Sequence, residues 1–173
     1  MSDGAALLKG SRAWLVLFVV CLVLSGATAF PLVHELRWSE DLLRSLSAPE
    51  HLPAPMDRTE RVRRGLDTAD ADYPFLLHGT DWLAFAHLVI AVAFLGPYRD
   101  PVRNVRVVEF GMIACAGIVP LALICGPIRG IPFWWTVVDM AFGVLGVIPP
   151  YLVRQKTKRL AALTPNAVPV PAA

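Results

Sequence analysis

Four long apolar runs, separated by polar and charged stretches, dominate the pattern of residues along this chain. The runs are Ala13–Val33, Trp82–Tyr98, Val107–Ile128 and Ile131–Val153. A helix that crosses a bilayer needs about 20 mostly apolar residues, because each residue adds about 1.5 Å and the hydrocarbon core is about 30 Å thick. The pattern therefore predicts an all-α fold, an integral membrane bundle of four transmembrane helices.

The first run has a second interpretation. Lys9 and Arg12 precede an apolar stretch, and Ala27–Ala29 resembles a small-residue cleavage site. That order is typical of a secretory signal peptide, which here would end at residue 29. The charge-free run continues from Phe30 to Val33, long enough to span, so we favour a retained helix. N-terminal sequencing separates the two, because a mature start at Phe30 would remove one span.

Residues 34–81 form the one sizeable extramembrane stretch that the pattern predicts. Residues 34–46 mix apolar and charged side chains, which predicts a short amphipathic helix on the membrane surface. The Pro-rich stretch 49–55 and the charged runs after it indicate a solvated linker, or alternatively a docking surface for a partner. Residues 154–173 are predicted to be a basic tail that becomes disordered from Thr164 onward.

The basic residues indicate the orientation in the membrane. Lys and Arg are concentrated in residues 1–12, 99–106 and 154–173, whereas the link between the third and fourth spans has only Arg129. Short cytoplasmic segments carry the excess of Lys and Arg, so both termini are predicted to be cytoplasmic. The stretch Gly79–Pro150 resembles small bacterial inner-membrane proteins, which implies a bacterial cytoplasmic membrane.

Composition excludes several function classes. Hydrophobic residues make up 55% and charged residues 17% of the 173, against about a quarter charged in soluble domains. The net charge of +2, with no basic groove interleaved with aromatics, argues against nucleic acid. Cys21, Cys115 and Cys125 lie in apolar runs without a C-x-x-C pair, so we predict small buried side chains and no metal site.

Ionisable groups inside a membrane are costly, and each one suggests a function. His87 in the second span and Asp139 in the fourth both lie about 9–12 Å below the predicted outer surface, by helical rise. The sequence predicts that they pair. Asp81 and Arg129, nearer that surface, form a predicted second pair. Together the four residues make a candidate polar seam, interpreted as a structural contact or as a binding or proton-relay site.

Glu109 lies near the predicted cytoplasmic end of the third span, and we predict an interface ion pair with Arg106.

Haem is not predicted, because a bis-histidine site needs two facing histidines. Only His87 lies in a span, whereas the other histidines lie in the first loop, at His34, His51 and His78. Nucleophile, phosphate-loop and zinc-protease motifs are absent from the sequence, so we predict no cofactor and no enzyme.

The favoured function is a non-enzymatic accessory subunit, scaffold or assembly factor, with the lipid bilayer and a membrane-protein partner or a second copy of the chain as its partners. One alternative is a transporter or channel subunit in which His87 and Asp139 relay protons or solute. Another is a membrane enzyme that acts on lipid or quinone, with His87 as base.

Overall fold

Helices make up every regular element that the structure, a computed structural model, describes within residues 3–45 and 53–163. In chain order they are α1 Asp3–Ala29, α2 Leu32–Ser45, α3 Pro53–Asp72, α4 Phe75–Ala93, α5 Leu95–Arg99, α6 Val105–Ile128, α7 Phe133–Gly146 and α8 Ile148–Ala162. The prediction of an all-α fold is confirmed.

Four helical stretches are long and apolar enough to cross a membrane. They are Asp3–Ala29, Phe75–Arg99, Val105–Ile128 and Phe133–Ala162. They correspond in order to the four predicted spans, so the prediction of four transmembrane helices is confirmed by length and composition.

The second and fourth of these stretches each consist of two helices that meet at a single residue. The joints are Phe94, between α4 and α5, and Val147, between α7 and α8. Pro97 follows the first joint, and Pro149 with Pro150 follows the second. Because a proline lacks the N–H donor and its ring collides with the carbonyl four residues earlier, the helix is interrupted just before each proline.

The predicted C-terminal tail begins as regular helix. α8 continues to Ala162, nine residues beyond the predicted end of the fourth span at Val153. The stretch from Thr164, where disorder is predicted, lies outside the described residues.

Residues 53–72, which lie in the stretch predicted to be a solvated linker or a docking surface, form the helix α3. Glu60 and Arg64 approach within 3.6 Å and Arg63 and Asp67 within 2.7 Å, each pair four residues apart. Such pairs stabilise a helix by joining successive turns. Pro53 and the following proline fall in the first turn, where the missing N–H costs no hydrogen bond. The charged run therefore encodes a helix.

The amphipathic helix predicted at residues 34–46 corresponds to α2, Leu32–Ser45, and residue 46 lies outside the described residues. Its location on the membrane surface stays a prediction. α2 packs against α3. The Arg37 guanidinium donates a hydrogen bond to Asp67 Oδ1 at 2.7 Å, while Arg63 contacts the other carboxylate oxygen. Asp67 thereby joins the two helices, and its hydrogen bond from Arg37 holds the pKa of this carboxyl below its usual range.

Contacts along the chain divide it into two compact units. The first unit comprises the chain up to Cys21 and from Ala91 onward, and the second spans Leu22–Ile90. In the first unit, α6 packs against both α7 and α8. Glycine sets the closeness of the α6–α7 contact, because a Cβ built on Gly143 would lie 2.6 Å from the Cys115 carbonyl oxygen.

Aromatic side chains pack against the N-terminal half of α6. The rings of Phe18 and Phe94 lie 4.9 Å apart between centroids, tilted by 58°. Both side chains are buried, and Gly111 of α6 leaves the space that Phe94 occupies, since a Cβ there would lie 2.7 Å from Phe94 Cζ. The turn between α6 and α7 is closed by Gly130, whose φ of 63° suits glycine.

Candidate functional site

His87 lies in the middle of the last three turns of α4, half-buried. Its ring Nδ1 lies 2.8 Å from the carbonyl oxygen of Leu83. Since a carbonyl can only accept, Nδ1 carries the proton, which leaves the lone pair on Nε2. The backbone of α1 comes close at this level, because a Cβ built on Gly26 would lie 2.9 Å from the Ala84 carbonyl oxygen and 3.1 Å from His87 Cβ. In the neutral ring of His87, Nε2 is therefore the potential proton acceptor.

Asp139 lies on the side of α7 that faces α6. It follows the buried Thr136 by three residues and precedes the buried Gly143 by four, which places all three on one face. Within the described residues of its own unit, the half-buried carboxylate makes no hydrogen bond or ion pair. A carboxylate in a spanning helix without such a partner is costly, so Asp139 stays the strongest candidate for a functional group in this unit.

The predicted seam joins residues of different units. His87 and Asp81 belong to Leu22–Ile90, whereas Asp139 and Arg129 belong to the other unit. The pairing of His87 with Asp139, and that of Asp81 with Arg129, therefore stay predictions. Within its own unit Asp81 has a neighbour that the sequence reasoning missed, because His78 Nδ1 lies 3.5 Å from Asp81 Oδ2.

His78 is also fixed from its other side. The indole N–H of Trp82 donates to His78 Nε2 at 3.0 Å, so Nδ1 carries the proton of the neutral ring and points toward Asp81. The spacings of three and four residues along α4 were visible in the sequence. The prediction treats His78 only as a possible haem ligand and makes no use of these spacings.

A cavity of about 390 Å³ opens beside this cluster. Its lining includes His34, Asp70, His78 and Asp81, with aromatic and aliphatic side chains such as Phe30. These four groups are of metal-ligating types, but no set of three or more His, Cys, Asp or Glu in the described ranges converges closely enough to hold a metal ion. His51, the remaining loop histidine, lies outside the described residues. The cavity is suited to a polar or cationic group and is not preformed for a metal.

Glu109 is brought together with two arginines in the first unit. Arg106, the predicted partner, lies 3.7 Å away, and 91% of its side chain is exposed. Arg154 of α8 is closer, since its Nε donates to Glu109 Oε1 at 3.0 Å and both side chains are about 30% exposed. The sequence reasoning missed Arg154 because it ended the fourth span one residue earlier. Glu109 therefore links α6 to α8.

Arg12 of α1 makes a further helix–helix contact in the first unit. Its Nε donates to the backbone oxygen of Tyr98 at 3.1 Å, and its guanidinium carbon lies 5.5 Å from the centre of the Tyr98 ring. A cation over an aromatic face is attracted by the ring quadrupole. This contact joins α1 to α5.

Comparison with protein-family models, with curated proteins and with solved structures finds no match to this chain. The residues and their geometry are therefore what a functional proposal rests on.

Proposed function

We propose that this protein is a non-enzymatic accessory subunit, scaffold or assembly factor for a membrane-protein complex, located in a bacterial cytoplasmic membrane. The observation that carries the proposal is the surface of the α2–α3 pair. Trp38 and Leu42 are 71% and 60% exposed, and they share a face of α2 because they lie four residues apart. Exposed aromatic and aliphatic side chains on one face are typical of protein interaction surfaces.

The α2–α3 pair is suited to present this face. Asp67 of α3 holds α2 through Arg37, and it is held in turn by Arg63 of its own helix. Arg37 and Trp38 are adjacent in sequence, so they point about 100° apart around the helix axis. The ion-pair contact therefore secures one side of α2 and leaves the Trp38 side exposed to a partner.

The basic helix ends support an orientation with both termini in the cytoplasm. Arg12 contacts α5, and Arg106 and Arg154 both contact Glu109. These basic groups, in the first, third and fourth spans, thus lie in one unit. A cytoplasmic location of that set agrees with the excess of Lys and Arg expected on the inner side of a membrane. Cysteine labelling at Leu163 and Ser45, from either side of sealed vesicles, tests this orientation.

Site-specific cross-linking tests the accessory role. A photoreactive residue at Trp38 is expected to capture one discrete protein in cells, and Trp38→Ser is expected to lose that protein after mild solubilisation. Thr68, an exposed residue of α3, is the control position for both experiments. A photoreactive residue at Thr68 should capture no comparable protein, and Thr68→Ala should retain the partner. Cross-links from Trp38 to lipid alone, with a chain that purifies without a partner, would contradict the proposal.

A second candidate function has its own observation. In its neutral ring, His87 has Nε2 as a proton acceptor. Asp139 is a carboxylate without a partner among the described residues of its unit. Both are groups that a proton or solute relay in a transporter or channel subunit requires. In proteoliposomes, His87→Ala and Asp139→Asn should each abolish flux at unchanged thermal stability. If both variants unfold earlier and the native protein carries no flux, the two residues are structural.

A further inference from the structure

An open groove lies between the first turns of α1 and the last turns of α8. Its volume is about 520 Å³. Two cationic side chains, Lys156 and Arg159, one carboxylate, Asp3, and aliphatic side chains such as Leu7 and Leu163 line it. The groove therefore combines positive charge with apolar walls at the end of a helix that is long enough to cross a membrane.

The side chain of Lys156 lies over Gly10 of α1, which has no side chain to obstruct it. A Cβ built on Gly10 of α1 would lie 3.0 Å from Lys156 Nζ and 3.2 Å from its Cε, so the lysine side chain extends over this glycine. Lys156 is half-buried. A larger residue at position 10 would displace the ammonium group, so the position of the charge is built into the α1–α8 contact.

The two cations of the groove are not neutralised by the protein. Within residues 3–45 and 53–163, neither Lys156 nor Arg159 makes an ion pair or a hydrogen bond through its side chain. Asp3, the carboxylate that shares the groove, lies beyond ion-pair distance of both. Lys156 is half-buried and Arg159 is exposed. Half-buried charge without a partner is costly, so an anion beside Lys156 would be stabilised.

Two buried hydroxyl groups without hydrogen-bond partners in the described chain lie next to Gly10 and Lys156 in the sequence. The hydroxyl groups of Ser11 and Thr157 are buried and have no hydrogen-bond partner within the described chain. They directly follow Gly10 and Lys156 in sequence. Buried hydroxyl groups normally have a hydrogen-bond partner. At the α1–α8 contact, a bound ligand or a water molecule can supply the partner for these two hydroxyl groups.

We propose that this groove binds the phosphate group of an anionic phospholipid. Lys156 and Arg159 contact the phosphate oxygens, and Leu7 and Leu163 lie against the first part of the acyl chains. The aliphatic walls favour a lipid over free phosphate, because an inorganic ion gains nothing from them. Asp3 reduces the excess charge of the lining, which suits a singly charged phosphodiester. This site is independent of the accessory role proposed above.

Binding of phosphatidylglycerol and of phosphatidylcholine to the full chain in neutral nanodiscs tests the proposal. Each basic residue near an anionic lipid surface contributes about 1 kcal/mol, which is roughly a fivefold change in affinity. Lys156→Gln and Arg159→Gln should each lower the preference for phosphatidylglycerol roughly fivefold, and the double variant roughly thirtyfold. Asp3→Asn should raise it.

Two comparisons make this test specific to the groove. Lys158→Gln removes the same charge from the same helix at an exposed position that does not line the groove, and it should change the preference less than twofold. Gly10→Ala keeps every charge but should weaken binding, because it displaces Lys156. Far-UV circular dichroism checks that each variant is folded, and the exposed or half-buried charge variants carry the test if Gly10→Ala does not fold.

Three results would overturn the proposal. One is an equal loss of preference in Lys158→Gln and Lys156→Gln, which would indicate a diffuse surface field. Another is equal binding of the two lipids by the native protein. The third is displacement of the lipid by millimolar inorganic phosphate or glycerol phosphate, which would indicate a site for a free phosphate.

Discussion

The close approach of α7 to α6 at Gly143 provides a sharp prediction. A methyl group at Gly143 of α7 would lie 2.6 Å from the carbonyl oxygen of Cys115 and 3.0 Å from the Cβ of Ile118. The oxygen belongs to the hydrogen-bonded ladder of α6, so it cannot turn aside without a shift of that helix. Gly143→Ala is therefore expected to force α6 and α7 apart.

The expected loss of stability follows from two opposing terms. Overpacking of a close contact costs about 1–3 kcal/mol, and a contact with backbone belongs at the upper end. Replacing a helical glycine by alanine gains about 1 kcal/mol through helix propensity. We expect Gly143→Ala to lower the free energy of unfolding by about 2 kcal/mol.

Gly117 of α6 is the matched control. It lies in the same helical hairpin, but a Cβ built on it meets nothing within 4 Å. Gly117→Ala should therefore be neutral or stabilise the protein by up to about 1 kcal/mol. The two variants, compared by titration with SDS in mixed micelles and followed by far-UV circular dichroism, should differ by about 3 kcal/mol. If Gly143→Ala is as stable as Gly117→Ala, the close packing of α6 on α7 is refuted.

Two further predictions concern ion pairs. In a double-mutant cycle on the free energy of unfolding, Glu109→Gln should couple with Arg154→Gln by about 1 kcal/mol. Its coupling with Arg106→Gln should be only a few tenths of a kcal/mol, because Arg106 is almost fully exposed. Equal coupling energies for the two arginines would contradict the geometry. The lowered pKa of Asp67 means that its ionised form stabilises the α2–α3 pair above pH 3.8, and that this contribution is lost as the pH falls through the lowered value. Arg37→Gln should raise the pKa of Asp67, measured from its ¹³C carboxyl shift, and an unchanged pKa would show that the hydrogen bond is absent.

The spans could be predicted from the sequence because a bilayer constrains length and polarity together. For α6 the predicted boundaries 107–128 differ from the observed Val105–Ile128 by two residues at one end only. The ends of the second and fourth spans were less predictable. The predicted bounds 82–98 and 131–153 differ from the helical stretches Phe75–Arg99 and Phe133–Ala162 by seven and nine residues at one end, and each stretch is interrupted at one residue, Phe94 or Val147.

α3 shows why composition can mislead in a polar stretch. A charged, Pro-containing stretch resembles a linker when residues are counted, but the same charges form a helix when opposite signs are four residues apart, as Arg63 and Asp67 are. Pairs within one helix follow from spacing, which is why Arg106 could be predicted as a neighbour of Glu109. Arg154 could not, because its approach depends on how α6 and α8 are rotated about their axes, and local sequence does not determine that rotation.

The same limit applies to the basic residues that indicate the orientation. A count of Lys and Arg treats them as equivalent, but their surroundings in the structure differ. Arg12 donates to a backbone carbonyl and Arg154 to Glu109, so their charges are engaged in holding helices together. Lys156 and Arg159 have no such partner in the described chain and share one groove. A lipid phosphate needs unpaired charge beside aliphatic walls, which is why the anionic lipid site is expected in the groove between α1 and α8.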